Sequence, residues 1–319
     1  MDQKTIVESV FKALQAVKKT SDIDLVRSCD ILPASAEIKA DEFLLSEPSP
    51  SPNKADVVII TALPEPEGKQ LREAFRSKAK TWETDVADGV PFHTARMKFG
   101  KTSIRMAIAS QSRMGMVDAA LLAAKAMREW QPVYVVMTGI CAGIRDKELN
   151  LGDVVIADEV FDYGSGKIVG KRLHPDYHFV CMHTTLCALL KDFATRTDVL
   201  QSIQNAWKNT SGKPLTVLKA HVGPMASGAA VMASQSMVKG IVEHKRKLLA
   251  VDMEAYGVAQ ATAHMLDGRT RFIVCKAVSD YADADETKGD TYQEYCSFVS
   301  ALFIRKFFER NEKHLFGPG

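Results

Sequence analysis

VYVVMTGICAG, Val133–Gly143, decides the fold. Its first six residues are mostly apolar and β-branched and show no polar alternation, as in a strand buried on both faces. The small residues of GICAG then end the run as a turn. Just upstream, Met116–Trp130 carries apolar or small residues at helical spacing and stops before Pro132. The same strand signature recurs in Val57–Thr61 (VVIIT), Val154–Ala157 and Phe272–Val278 (FIVCKAV). Glu67–Phe75, Glu254–Leu266 and Tyr292–Phe308 have helical periodicity. Phe92–Met97 and Thr102–Ala109 form a hairpin around Phe99-Gly100-Lys101. Buried strands alternating with helices predict an α/β fold, a central sheet with helices on both faces.

A break lies at SEPSPSPNK, Ser46–Lys54. Its prolines and serines exclude a helix interior or a central strand, so it is a linker. Residues 3–18 read as an amphipathic helix before it. The predicted organisation is an N-terminal helical segment with its linker over residues 1–52, then one domain over residues 53–319. With 319 residues, 46% hydrophobic and 25% charged, the chain can bury a large core. A net charge of +2 is too small to argue for nucleic acid. No apolar run reaches the ~18–20 residues of a membrane span, and MDQKTIVESV lacks the long apolar core expected of a signal peptide. Cys29, Cys141, Cys181, Cys187, Cys275 and Cys296 form no CxxC pair and read as reduced core thiols of a cytoplasmic protein.

Ligands of open α/β sheets sit beyond the carboxyl ends of strands. Three unusual clusters fall there: TALPEPEG (Thr61–Gly68), TGICAG (Thr138–Gly143) and SDYADAD (Ser279–Asp285). The small residues of TGICAG allow close backbone approach to a ligand, with Ile140 and Ala142 beside it, or simply a tight turn. Glu65 and Glu67 are either helix-dipole partners or a general base for water. Asp280 is either an N-cap or a general acid. VDMEAYGVAQ (Val251–Gln260) sets two acids, Asp252 and Glu254, in an apolar run, where a carboxylate is paired, superficial or chemical. GSGK (Gly164–Lys167) is not a P-loop, because GxxxxGK[ST] needs Gly at Phe161 and a hydroxyl at Ile168. His174, His178, His183 and Cys181 lack a matched ligand spacing, so no metal or other cofactor is expected.

Three blocks taken together resemble the nucleoside phosphorylase/nucleosidase superfamily. They are VVIITALPEPE, VVMTGICAGIRDKELNLGDVVIADEV, and VDMEAYGVAQATAH with CKAVSDYAD. The resemblance runs from about Val57 to Phe308. It implies a three-layer α/β/α phosphorylase-type fold with a central mixed sheet. It also implies residue roles. Met253 lies against the ribose and Glu254 binds its hydroxyls. Asp280, with Ser279 beside it, donates a proton toward N7 of the purine. A glutamate of the first loop activates water; a gap-free match places Pro66 there, and Glu67 is preferred over Glu65. VGPMASGAAVMAS (Val222–Ser234) resembles the base-binding strand, with Val231 and Met232 against the purine. An aromatic is missing there, and Phe161 or Tyr163 is the candidate replacement.

Acids in the first loop repel phosphate and activate water, which favours hydrolysis over phosphorolysis, with inorganic phosphate as the alternative co-substrate. QSRMGMVDAA, MTGICAG and FDYGSGK are similar to a bacterial subgroup of antiphage effectors that cleave ATP or related adenine nucleotides. Arg113, Lys167, Lys171 and Arg172 are then candidate phosphate ligands, or else solvated surface charges. The expected substrate is a purine nucleoside or adenine nucleotide. The alternatives are a phosphorylase and a nucleotide-sensing module. The resemblance implies a homo-oligomer, dimer to hexamer.

Overall fold

Val57–Thr61 forms β1, and all five of its side chains are buried, as an uninterrupted apolar strand requires. The computed structural model describes residues 54–79, 81–170, 172–209, 212–230, 235–282 and 290–317. The expected N-terminal helix and most of its linker, together with Lys171, Val231 and Met232, lie outside the described residues.

After β1 come a π-type turn, Pro64–Gly68, and helix α1, Lys69–Phe75. Strands β2 (Glu83–Ala87), β3 (Val90–Phe99) and β4 (Thr102–Ser110) follow, then α2 (Met116–Trp130), β5 (Tyr134–Gly143) and β6 (Val154–Asp162). A small hairpin, β7 (Gly166–Val169) and β8 (Arg172–Pro175), precedes β9 (Val180–Cys181), α3 (Thr184–Ala194) and α4 (Thr197–Ala206). The chain continues through β10 (Ala220–Ser227), α5 (Gln235–His244), β11 (Ala250–Asp252) and α6 (Ala255–His264). It ends with β12 (Arg271–Tyr281), α7 (Gln293–Arg310) and α8 (Glu312–Phe316).

The main sheet runs β11–β10–β6–β12–β5–β1–β4–β3–β2, with β9 beside β6. β1 is parallel to β4 and β5, whereas β6 is antiparallel to β12, so the sheet is mixed. β11 also pairs antiparallel with β5, which closes five strands on themselves at one end of the sheet. Helix α7 packs against β5, β12 and α1, and α2 packs against β1 and α6. Layers of helix thus enclose the sheet, the three-layer α/β/α arrangement. The α7 layer is largely aromatic: Phe303 and Phe307 stack edge-on against Phe193 of α3 at 5.0 and 5.5 Å.

Three expectations change. TGICAG is not a turn, and SDY does not lie beyond its strand. β5 and β12 pair in parallel from Tyr134–Arg271 to Gly143–Tyr281, so both clusters are strand. The ladder's continuing hydrogen bonds override the weak strand preference of Gly, Ala and Ser. The register shifts between Val278 and Asp280, leaving Ser279 as an extra residue. Such a bulge re-aims the side chains beside it. Nor are the cysteines all core thiols: Cys141, Cys275 and Cys296 are buried, but Cys181 is exposed and Cys187 half-buried.

Candidate active site

The first-loop glutamates part company at Pro66. The π-type turn carries a cis Glu65–Pro66 peptide and turns Glu67 inward, to 1% exposure. The Glu65 side chain is 71% exposed and lies 3.9 Å from Lys69. Both Glu67 oxygens are held by the main chain: Leu63 N–H donates to Oε2 at 2.9 Å and Ile140 N–H to Oε1 at 3.0 Å. Gly139 makes room for this contact. Its φ is +146°, and a Cβ there would stand 2.1 Å from Glu67 Oε1. This is the close approach that TGICAG allows, and it is made to a side chain of the same protein.

The two acids of VDMEA do different work. Asp252 ends β11 and has three partners: it accepts from Ser227 Oγ at 2.6 Å and from the Ala255 N–H at 2.9 Å, and pairs with Lys276 Nζ at 2.6 Å. It holds the start of α6 and ties it to β10 and β12. Glu254, 4% exposed, accepts from the Gly115 N–H at 3.1 Å and from Lys276 Nζ at 3.0 Å. Asp280 accepts a 2.9 Å hydrogen bond from Ser279 Oγ beside the β12 bulge.

Glu67, Glu254, Asp280 and Ser279 line one cavity of about 410 Å³, a volume ordinary for a small-molecule site. Ile140, Ala142 and Met253 are among its other wall residues. Burial pushes the Glu67 carboxyl up from the ordinary value of 4.5, against Lys276 and its two N–H bonds, with Glu254 adding to the rise. Burial works against the Lys276 ammonium, but Asp252, Glu254 and Glu67 outweigh it and hold its pKa well above the ordinary lysine value.

Tyr163 does not line this cavity. Its ring packs over Gly228 and its hydroxyl donates to the Ala230 carbonyl at 3.0 Å, bracing the turn after β10 whose Ala230 reaches the cavity. Phe161, the other aromatic candidate, is wholly buried against Tyr177 and Phe179. Two of the expected phosphate ligands, Arg113 and Lys167, lie outside the cavity as well. Arg113 is exposed in the turn before Gly115, and Lys167 is exposed on the β7–β8 hairpin that Arg172 re-enters. Sequence reasoning missed Lys276, although a lone cation inside FIVCKAV carries the same signal as an acid in an apolar run. A larger cavity of about 540 Å³, lined by Glu65, Arg72, His93 and Lys125, lies across the Pro64–Glu65 turn. The buried carboxylates converge on the smaller one. Among the described residues no group of three or more His, Cys, Asp or Glu could hold a metal, and no helix is long and apolar enough to cross a membrane.

Residues 56–309 match the profile of the phosphorylase superfamily. Over 263 residues, 79% of the chain, it is 23% identical to the ATP nucleosidase Cap17 of Escherichia coli and spans 51% of that relative's length. It is 27% identical to the 5'-methylthioadenosine/S-adenosylhomocysteine nucleosidase of a Marinomonas species, over 73% of this chain and 93% of that one. The solved nucleosidase of Helicobacter pylori superposes with a TM-score of 0.62 at 19% identity, over 81% of this chain and 99% of that one.

Proposed function

The chain belongs to the phosphorylase superfamily, and on that premise we propose that it hydrolyses the N-glycosidic bond of an adenine nucleoside or nucleotide. One observation carries the reading: the carboxylates of Glu67, Glu254 and Asp280 meet in a single cavity. Breaking such a bond builds positive charge on the ribose and negative charge on the departing base, as in glycoside hydrolysis. Glu254 faces the sugar hydroxyls and stabilises the positive charge. Glu67 takes a proton from water as the water oxygen bonds to C1′. The C1′–N9 electron pair leaves with the purine, and Asp280, which enters this step as the carboxylic acid, delivers its proton to N7. Solvent then returns the proton to Asp280 and removes the one on Glu67. A raised Glu67 pKa makes it a stronger base than an ordinary carboxylate. Among the described residues the cavity is lined by acids and by no arginine, which favours water over phosphate as nucleophile.

The substrate in this reading is an adenine nucleotide of the ATP type, which would make the chain an effector that depletes nucleotide during phage infection. The ATP nucleosidase relative supports it. Arg113 supports it too, since it stands two residues before Gly115, whose N–H holds Glu254. From there it can meet phosphates that leave the sugar end of the cavity. The family resemblance extends the proposal to a homo-oligomer. Val117 and Leu121 of α2, 72% and 58% exposed, offer it an apolar face.

Chromatography of the protein incubated with ATP, adenosine and methylthioadenosine, with and without phosphate, is the test. Adenine released from ATP in phosphate-free buffer is the expected result. Release that requires phosphate would make it a phosphorylase. Equal turnover of ATP and adenosine, unaffected by Arg113→Ala, would remove the nucleotide assignment.

A further inference from the structure

We propose that Lys276 is the positioning residue of this site: its ammonium fixes the orientation of Glu254, the carboxylate that faces the sugar. The proposal rests on the nucleosidase reading and extends it to a residue outside the cavity wall.

Lys276 sits in the middle of β12, 1% exposed, where an ammonium survives only with partners. It has two, Asp252 Oδ2 at 2.6 Å and Glu254 Oε2 at 3.0 Å, and thus spans the two acids on either side of Met253. Those acids are not equivalent. Asp252 is also bound by Ser227 Oγ and the Ala255 N–H, so it anchors the lysine to the start of α6. Glu254 is held once on each oxygen, by Gly115 N–H and by Lys276. A carboxylate offers about four acceptor positions, so each Glu254 oxygen keeps one for a hydroxyl. Two oxygens, both oriented and both half-used, suit the adjacent hydroxyls of a ribose.

The charge count gives Lys276 a second effect. Three buried carboxylates, Asp252, Glu254 and Glu67, share one ammonium. The other titratable groups near this cluster are Cys141 on β5 and Tyr163, both of which feel Asp252, with Asp280 on β12 and Cys296 on α7 beside Cys141. Burial pushes the Cys141 and Cys296 thiols up, so both stay neutral. Lys276 draws the Glu67 carboxyl down and Glu254 draws it up. Without the ammonium, Glu254 and Asp252 would repel one another, and Glu67 would hold its proton to higher pH. A general base loses activity as it gains its proton. The acidic limb of the rate profile should therefore move toward higher pH.

The experiment compares the full chain with K276R and K276M. It measures adenine release against pH and calorimetric binding of a carbon-linked adenosine analogue that cannot be cleaved. We expect K276M to lose about 100-fold in kcat/KM, the scale of a misplaced catalytic group, and to shift the acidic limb upward. K276R should keep the limb where it is and recover most of the rate. If K276M is insoluble, D252N/K276M, which removes one charge of each sign, takes its place. A purely structural lysine would lower the melting temperature of K276M but leave its limb and its analogue affinity at the wild-type values; that result overturns the proposal. If the wild type binds the analogue but releases no base, and K276M loses the binding, the hydrolase reading fails and the role of Lys276 stands. If the wild type neither binds nor cleaves, both fall.

Discussion

Gly139→Ala is the sharpest perturbation of this site, because the glycine faces the proposed base and leaves it no slack. The new Cβ would lie 2.1 Å from Glu67 Oε1 and 2.6 Å from its Cδ. An ordinary contact needs roughly 3.2 Å or more, so the carboxylate must retreat by about 1 Å. It cannot do so freely, because Leu63 N–H and Ile140 N–H hold both oxygens. The backbone resists as well: φ at Gly139 is +146°, a conformation that costs a side chain about 1–3 kcal/mol. Overpacking adds about 1–3 kcal/mol, for a total loss near 2–6 kcal/mol. A fold with about 5–15 kcal/mol in reserve survives most of that range, and thermal melting will show whether it has.

In the folded fraction, a base displaced by about 1 Å should lower kcat by about 100-fold. The assay is adenine release at saturating substrate, with Glu67→Gln and the double variant alongside. If Gly139 acts through Glu67, the double variant should be no slower than Glu67→Gln alone, since groups that act as a unit are not additive. A Gly139→Ala protein that folds and keeps wild-type turnover would refute Glu67 as the base. An additive double variant would instead place the effect of Gly139 elsewhere and leave the role of Glu67 to the single variant.

Glu65→Gln should leave turnover within about twofold of wild type, whereas Glu67→Gln should lose about 10²–10⁴-fold, the usual contribution of a general base; equal losses would contradict the inward turn of Glu67. The acidic limb of kcat/KM should lie above the ordinary carboxylate value of 4.5, because burial raises Glu67; a limb at or below that value points to another base. The same shift bears on stability. A carboxyl raised on folding contributes stability that is full below its unfolded pKa and is lost as pH rises through the folded one. Melting temperatures of wild type and Glu67→Gln should thus diverge in favour of the variant as pH rises through that window, and parallel curves would count against it. Asp252→Ala strips Lys276, Ser227 and the start of α6 of one partner each and should destabilise by about 3–5 kcal/mol in denaturant titration; a change under about 1 kcal/mol would mean the pair is not buried in solution.

How much of this is visible in the chain itself depends on whether a residue's environment is written nearby. β1 and α2 are found at their observed boundaries because their apolar pattern is local and ends at clear breakers, Pro132 among them. β5 and β12 are found but cut short. Their last residues, GICAG and SDY, are strand only because each pairs with the other across more than a hundred residues of sequence. β2, with alternating exposed positions and no apolar run, gives no signal to read. Helix α3 does give one, Leu186, Leu190 and Phe193 at helical spacing, which the sequence reading passed over.

The site divides along the same line. Gly139 reads as small and Glu67 as a candidate base, but the contact between them is unreadable without the fold, since 72 residues separate them in the chain. The phosphate cations are hard to read for the opposite reason: a lysine or arginine carries the same letter on a surface as beside a cavity, and Arg113 and Lys167 are exposed. Lys276 is the instructive case. A charge inside an apolar strand must be paired, and the sequence holds both of its partners, Asp252 and Glu254, in a second apolar run. Two acids and one cation, all in segments too apolar to leave them solvated, must find one another. That inference needs no alignment and no coordinates. It makes a buried acid–base cluster legible from opposite-sign charges in apolar runs, even when the residues that touch solvent are not.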